Sequence, residues 1–206
     1  MKKNNKSNDK VLYALIAAIS VSLVATIFLY AGSSGITGFA TTGIANLTIE
    51  TITEINFTVD NINFGTGYVS SSCNNCTMDS EGGIDSACCL NFHGETDGFT
   101  IENIGNTNVT LNVSFAKDAD TLLGGNSAVN GYQMKASNNA VAPGCVGTLS
   151  HITYSEIASG TSYTVCDDFG YKLNTNKLDV DIKVIVPENS KKGTLSDTIT
   201  ATATAN

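Results

Sequence analysis

The chain has 206 residues with a formal net charge of −8 and no Trp. It contains no Arg, four of its eleven Lys lie in the first ten residues, and the rest sets seven Lys against eighteen acids. Nucleic acid is excluded as a partner, because neutralising phosphate needs clustered Lys or Arg. An aromatic fraction of 7% without Trp argues against a carbohydrate-stacking platform.

The run Val11–Tyr30 carries no charge, Pro or Gly. At about 1.5 Å per helical residue it spans roughly 30 Å, the thickness of a bilayer's hydrocarbon core. Lys2, Lys3, Lys6 and Lys10 precede it with one acid, Asp9. Positive charge is retained on the cytoplasmic side, so residues 1–10 are expected inside and 31–206 outside. The run is longer than the apolar region of a cleavable signal, which favours an uncleaved anchor. A cleaved signal peptide is the alternative, with cutting after the small residues of Ala31-x-Ser33 or Gly38-x-Ala40. A pilin-type leader cut before Val11 is a third reading, although the Gly before and the Glu after such a cut are missing. Residues 31–43, rich in Gly, Ser and Thr, read as a flexible stalk or processing region.

The folded domain is expected over 44–206. In NLTIE, Leu47 and Ile49 face one way and Asn46, Thr48 and Glu50 the other, the period of a half-buried strand. INFTV repeats this with Ile55, Phe57 and Val59 inward; Ile62 and Phe64 follow, and Gly65-Thr66-Gly67 breaks the pattern. Residues 70–88 have almost no apolar periodicity and read as a long cross-linked loop. GFTIEN and TNVTLNVSF, joined by Asn103-Ile104-Gly105-Asn106, are predicted to pair as an antiparallel hairpin. Between Ala116 and Ala142 only Tyr132 and Met134 suggest a short strand, and residues 148–154 and 161–166 read as two more. KLDVDIKVIVP places Leu178, Val180, Ile182, Val184 and Val186 on one face with Asp179, Asp181 and Lys183 on the other. Pro187 stops it, and DTITATATA sets Ile199, Ala201, Ala203 and Ala205 opposite threonines. Eight to ten strands with no convincing helix after Tyr30 predict an all-β, antiparallel Ig-like or jelly-roll-type sandwich behind one transmembrane helix.

Six cysteines, an even count in an exported chain, read first as disulfides. Cys145 and Cys166 flank the strands between them and are expected to pair. Cys73, Cys76, Cys88 and Cys89 would pin the long loop in two bridges, the adjacent Cys88 and Cys89 each reaching back to Cys73 or Cys76, in either combination. The alternatives are a metal site from these four with His93, or a redox-active pair. Sequons at Asn46, Asn56, Asn75, Asn108 and Asn112 are candidate glycosylation sites. No catalytic residue or cofactor is read: His93 and His151 lie in no motif that supplies a nucleophile and an orienting group. Asp79, Glu81 and Asp85, Asp118 and Asp120, and Asp167 and Asp168 offer oxygen ligands for calcium, without a full calcium-loop pattern.

The order of GITGFATTGIANLTI, INFTVDNINFG, FTIENIGNTNVTLNVSF and DVDIKVIVPENSKKGTLSDTITATAT resembles a group of small exported archaeal β-sandwich surface proteins of uncharacterised function. More distantly, at the level of fold, the chain is similar to camelysin/TasA-like fibre subunits, which polymerise by donating an N-terminal strand. The resemblance implies a surface location and transfers no site residue. The expectation is a non-enzymatic cell-surface structural or adhesion protein, with the membrane through 11–30, envelope components and other copies of itself as candidate partners. A released fibre subunit, its donated segment within 36–52 and its acceptor beside Ile199–Ala205, is the alternative, and a metal-binding extracellular protein a further one.

Overall fold

A computed structural model describes residues 47–206, whose compact unit runs from Ile49 to Asn206. The basic tail, Val11–Tyr30, the stalk and Asn46 lie outside the described residues. Within them no helix is long and apolar enough to cross a membrane.

Eleven strands and one helical turn follow in chain order: β1 (Ile55–Val59), β2 (Gly65–Val69), β3 (Asn75–Asp79), β4 (Cys89–Phe92), β5 (Phe99–Asn103), β6 (Val109–Phe115), α1 (Ala119–Leu122), β7 (Gly131–Asn138), β8 (Ser155–Glu156), β9 (Ser162–Phe169), β10 (Lys177–Pro187) and β11 (Ile199–Ala205). The fold is all-β, and its strand pairs are antiparallel. A six-stranded sheet has the order β1-β5-β10-β7-β8, with β3 pairing the second half of β10. A three-stranded sheet runs β11-β6-β9, and β2 pairs with β4 alone.

Strand β10 is central because its even positions are apolar without interruption: Leu178, Val180, Ile182 and Val184 are buried. On β6, Val109, Leu111, Val113 and Phe115 are buried in the same way. A strand with one continuous apolar face must place it against another such face. These residues share one core, where Phe115 meets Tyr132 edge-on with ring centroids 5.8 Å apart.

The structure departs from the sequence pattern at several places. NLTIE forms no strand: Leu47 is 84% and Ile49 79% exposed, and the backbone is held only from Glu50 and Ile52, which bond to the Asn106 side chain. The β5–β6 pair is not a hairpin. β5 belongs to the larger sheet and β6 to the smaller, because the chain crosses between layers at Asn103. That side chain is fully buried; its amide donates to the carbonyls of Thr107 (3.0 Å) and Phe169 (3.1 Å), and its oxygen accepts from Gly105 N–H (3.0 Å). The turn bonds thus go to a layer crossing instead of a ladder.

The supposed loop 70–88 contains β3, whose Cys76 and Met78 alternate inward beside Val186 and Val184. Gly65 and Gly67 do not break the chain but open β2. Gly65 has φ +77°, and a Cβ at Gly67 would lie 2.5 Å from the Leu90 carbonyl of the neighbouring strand. Residues 148–154 are largely irregular, with Leu149 bridging Cys166 and His151 at φ 56°. The short strand suggested by Tyr132 and Met134 is the eight-residue β7. Helix α1 escaped the pattern because one turn is too short to show a period; Asp118 caps it by accepting from Thr121 N–H at 2.7 Å.

Candidate interaction groove and disulfide staples

All six cysteines are paired. Cys73–Cys88 and Cys76–Cys89, with Cα separations of 5.6 and 4.9 Å, tie the chain before and within β3 to the start of β4. They fasten the two-stranded sheet to the larger one. Cys145–Cys166, at 5.7 Å, holds the segment before β8 against β9, where Ser150 N–H also donates to the Val165 carbonyl at 2.9 Å. Sulfurs in disulfides are not thiolate ligands, and among the described residues no group of three or more His, Cys, Asp or Glu is placed to hold a metal ion. Three such bonds point to an oxidising compartment, extracellular or at the cell surface.

Of the sequon residues, Asn56 is exposed on β1, while Asn75, Asn108 and Asn112 are half-buried. Asn112 already accepts from the Thr164 hydroxyl at 2.6 Å. The two histidines stand apart. His93 pairs with Glu95 at 3.4 Å, and the His151 ring lies edge-on to Tyr163. The loop acids are engaged with backbone: Asp79 accepts from Glu81 and Gly83 N–H, Asp85 from Ala87 and Asp167 from Thr148. Thr148 bonding holds the Asp167 carboxyl below the usual carboxylate range.

A groove of about 940 Å³ lies beside the start of β11. Its floor is the inner face of the larger sheet, with Phe57, Phe99, Val184 and Val186; Ile199 of β11 forms one wall. Three strands cover a sheet of six, and no strand among the described residues pairs with the outer edge of β11.

The register shows which groups that edge offers. Ala116 N–H donates to the Thr198 carbonyl and Asn206 N–H to that of Asn108, so the even positions of β11 bond to β6. Opposed pairs in an antiparallel ladder alternate between bonded and non-bonded. The N–H and C=O of Ile199, Ala201, Ala203 and Ala205 therefore point away from β6, and of these residues Ile199 borders the groove. The side chains of Ala201 and Ala203 are half-buried and that of Ala205 is exposed.

At the rim both Asp197 carboxylate oxygens are shut off from water without a hydrogen bond of acceptable geometry. Burial first, and then the charge of this neighbouring carboxylate, push the Tyr132 phenol well above its ordinary value. The strand was anticipated in the alternation of Ile199–Ala205. Tyr132 and Asp197 were not, since no periodicity relates residues so far apart. Compared with known protein families, with curated proteins and with solved structures, the chain matches none.

Proposed function

We propose that the chain is a non-enzymatic cell-surface structural or adhesion protein. In this reading residues 11–30 hold an acidic, disulfide-stapled sandwich of Ig-like or jelly-roll type outside the membrane. The observation that carries it is the trio of disulfides, which brace the regions where regular pairing is sparsest. Small or loop-rich exported domains use such bonds to limit the unfolded state. Fractionation of the producing cells, with thiols alkylated before reduction, tests it. The expected result is protein in the membrane or medium fraction with all six cysteines protected.

A second reading is a fibre subunit that adds a strand from one copy to the next. Two observations favour it: among the described residues β11 has an unpaired edge near a groove with an apolar floor, and Leu47 and Ile49 lie exposed on the period-two face of a segment without a partner there. Strand addition would supply main-chain bonds to β11 and seat alternate side chains in the groove. A donor and an acceptor on the same chain make a heterologous contact, which propagates. Deleting residues 31–49, a cut that spares the Glu50 and Ile52 bonds to Asn106, should leave a folded monomer. Fibres from that variant would end this reading.

A further inference from the structure

The polar face of β10 holds an arrangement that a solvated surface does not require. Asp181 stands directly opposite Lys135 of β7. Its side chain is only 9% exposed and that of Lys135 18%. The Lys135 ammonium lies 3.7 Å from Asp181 Oδ2 and 2.5 Å from Glu81 Oε1, between two carboxylates. The Tyr154 hydroxyl donates to the other Glu81 oxygen at 2.9 Å, and its ring covers the site, 5.2 Å from Lys135 Nζ and 3.9 Å from Lys183 Nζ. Ser80, fully buried, donates to Asp181 Oδ1 at 3.0 Å while accepting from Ile182 N–H.

We propose that the folded chain joins Lys135 to Asp181 through an amide bond, with Glu81 carrying the protons. Glu81 takes a proton from the Lys135 ammonium, and the freed Nζ lone pair attacks Cγ of Asp181 in chains where that carboxyl carries its proton. In the tetrahedral intermediate Glu81 returns that proton to the departing hydroxyl, the Cγ–O bond breaks as the oxyanion re-forms the carbonyl, and the ionised Glu81 then takes the second nitrogen proton and releases it to solvent. One C–N bond forms and one water leaves, with no oxidant, reductant or external reagent.

Three features support this chemistry. Cross-strand opposition holds nucleophile and electrophile together, so the step is unimolecular with a high effective molarity. Burial of the Asp181 and Lys135 side chains restricts water at the bond itself, while Glu81, 46% exposed, can exchange its proton with solvent. The two carboxyls are also driven apart: burial raises the Asp181 carboxyl toward its neutral form, against the Ser80 hydrogen bond. Hydrogen bonding from Lys135 holds that of Glu81 below its ordinary value, which keeps it ionised beside the ammonium. The two carboxyls are thereby given different roles, Asp181 as electrophile and Glu81 as proton carrier. The product would be a covalent rung across β7 and β10, the two longest paired strands of the larger sheet.

The test is peptide mapping of the full chain purified from its own cells. The expected result is a branched peptide containing residues 135 and 181, lighter by about 18 Da than the sum of its two arms, the mass of one water. Lys135→Arg should abolish it and Glu81→Gln should slow its appearance. Asp181→Asn should reach the same product by losing ammonia, about 17 Da, instead of water. Recovery of residues 135 and 181 in separate, unmodified peptides, from wild-type chain with its three disulfides intact, would overturn the proposal and leave an ordinary ion pair.

Discussion

Single side chains decide where this chain changes layers. Asn103 is the clearest case, because its amide satisfies two carbonyls and its oxygen one N–H at the crossing from β5 to β6. Asn103→Ala leaves those groups buried and unpaired, a loss of about 3 kcal/mol in urea denaturation. At Asp118, hydrogen bonding from Thr121 holds the carboxyl below its ordinary value. A lowered folded-state value contributes stability above the unfolded pKa of about 3.9, lost as pH falls through the folded value. Asp118→Asn should keep the cap and flatten stability across that acid window. Asp118→Ala should cost about 1 kcal/mol at neutral pH. Neither Asn103 nor the Asp181 site was legible beforehand. Asn103-Ile104-Gly105-Asn106 carries the same turn chemistry whether the next strand returns to its own sheet or leaves it. Asp181 sits on the polar face of its strand, and residues distant in sequence bury it: the loop bearing Ser80 and Glu81, Gly98 and Lys135.

Strands were read well where alternation was uninterrupted. Val109–Phe115, Lys177–Pro187 and Ile199–Ala205 could be placed from sequence because each residue agrees with one period of two. β3 was hidden among small polar residues, with Met78 the one ordinary apolar side chain to mark its face. NLTIE shows the opposite failure, since a strand also needs a partner and none lies beside it among the described residues. The edge of β11, unpaired among the described residues, gives a sharp contrast. Ala203→Pro removes an N–H that points away from β6, so the domain should stay folded while any assembly through this edge is lost, as read by sedimentation. Thr202→Pro removes a ladder bond to β6 and should destabilise the domain measurably. Replacing Cys145 and Cys166 together by Ser should cost about 3 kcal/mol in thermal or urea unfolding, as expected for a loop of this length.

Across the described residues as a whole, the sheets leave a groove open beside Ile199 and are stapled by disulfides elsewhere. Its two largest sheets bury a shared core, and the disulfides hold β4 and the segment 145–150, where hydrogen-bonded pairing is shortest. The acidic balance of residues 31–206 suits an exposed outer surface. All-β class and disulfide use were legible in alternation and cysteine count; the depth of the groove was not, since it depends on how many strands each layer receives. The central claim is that this is a disulfide-braced protein outside the membrane, and it is tested most directly by alkylating intact cells and their medium before reduction, then mapping all six cysteines by mass. The account expects the chain in the membrane or medium fraction, with Cys73–Cys88, Cys76–Cys89 and Cys145–Cys166 linked and no cysteine alkylated. Chain found in the cytoplasmic fraction with its thiols alkylated would contradict it.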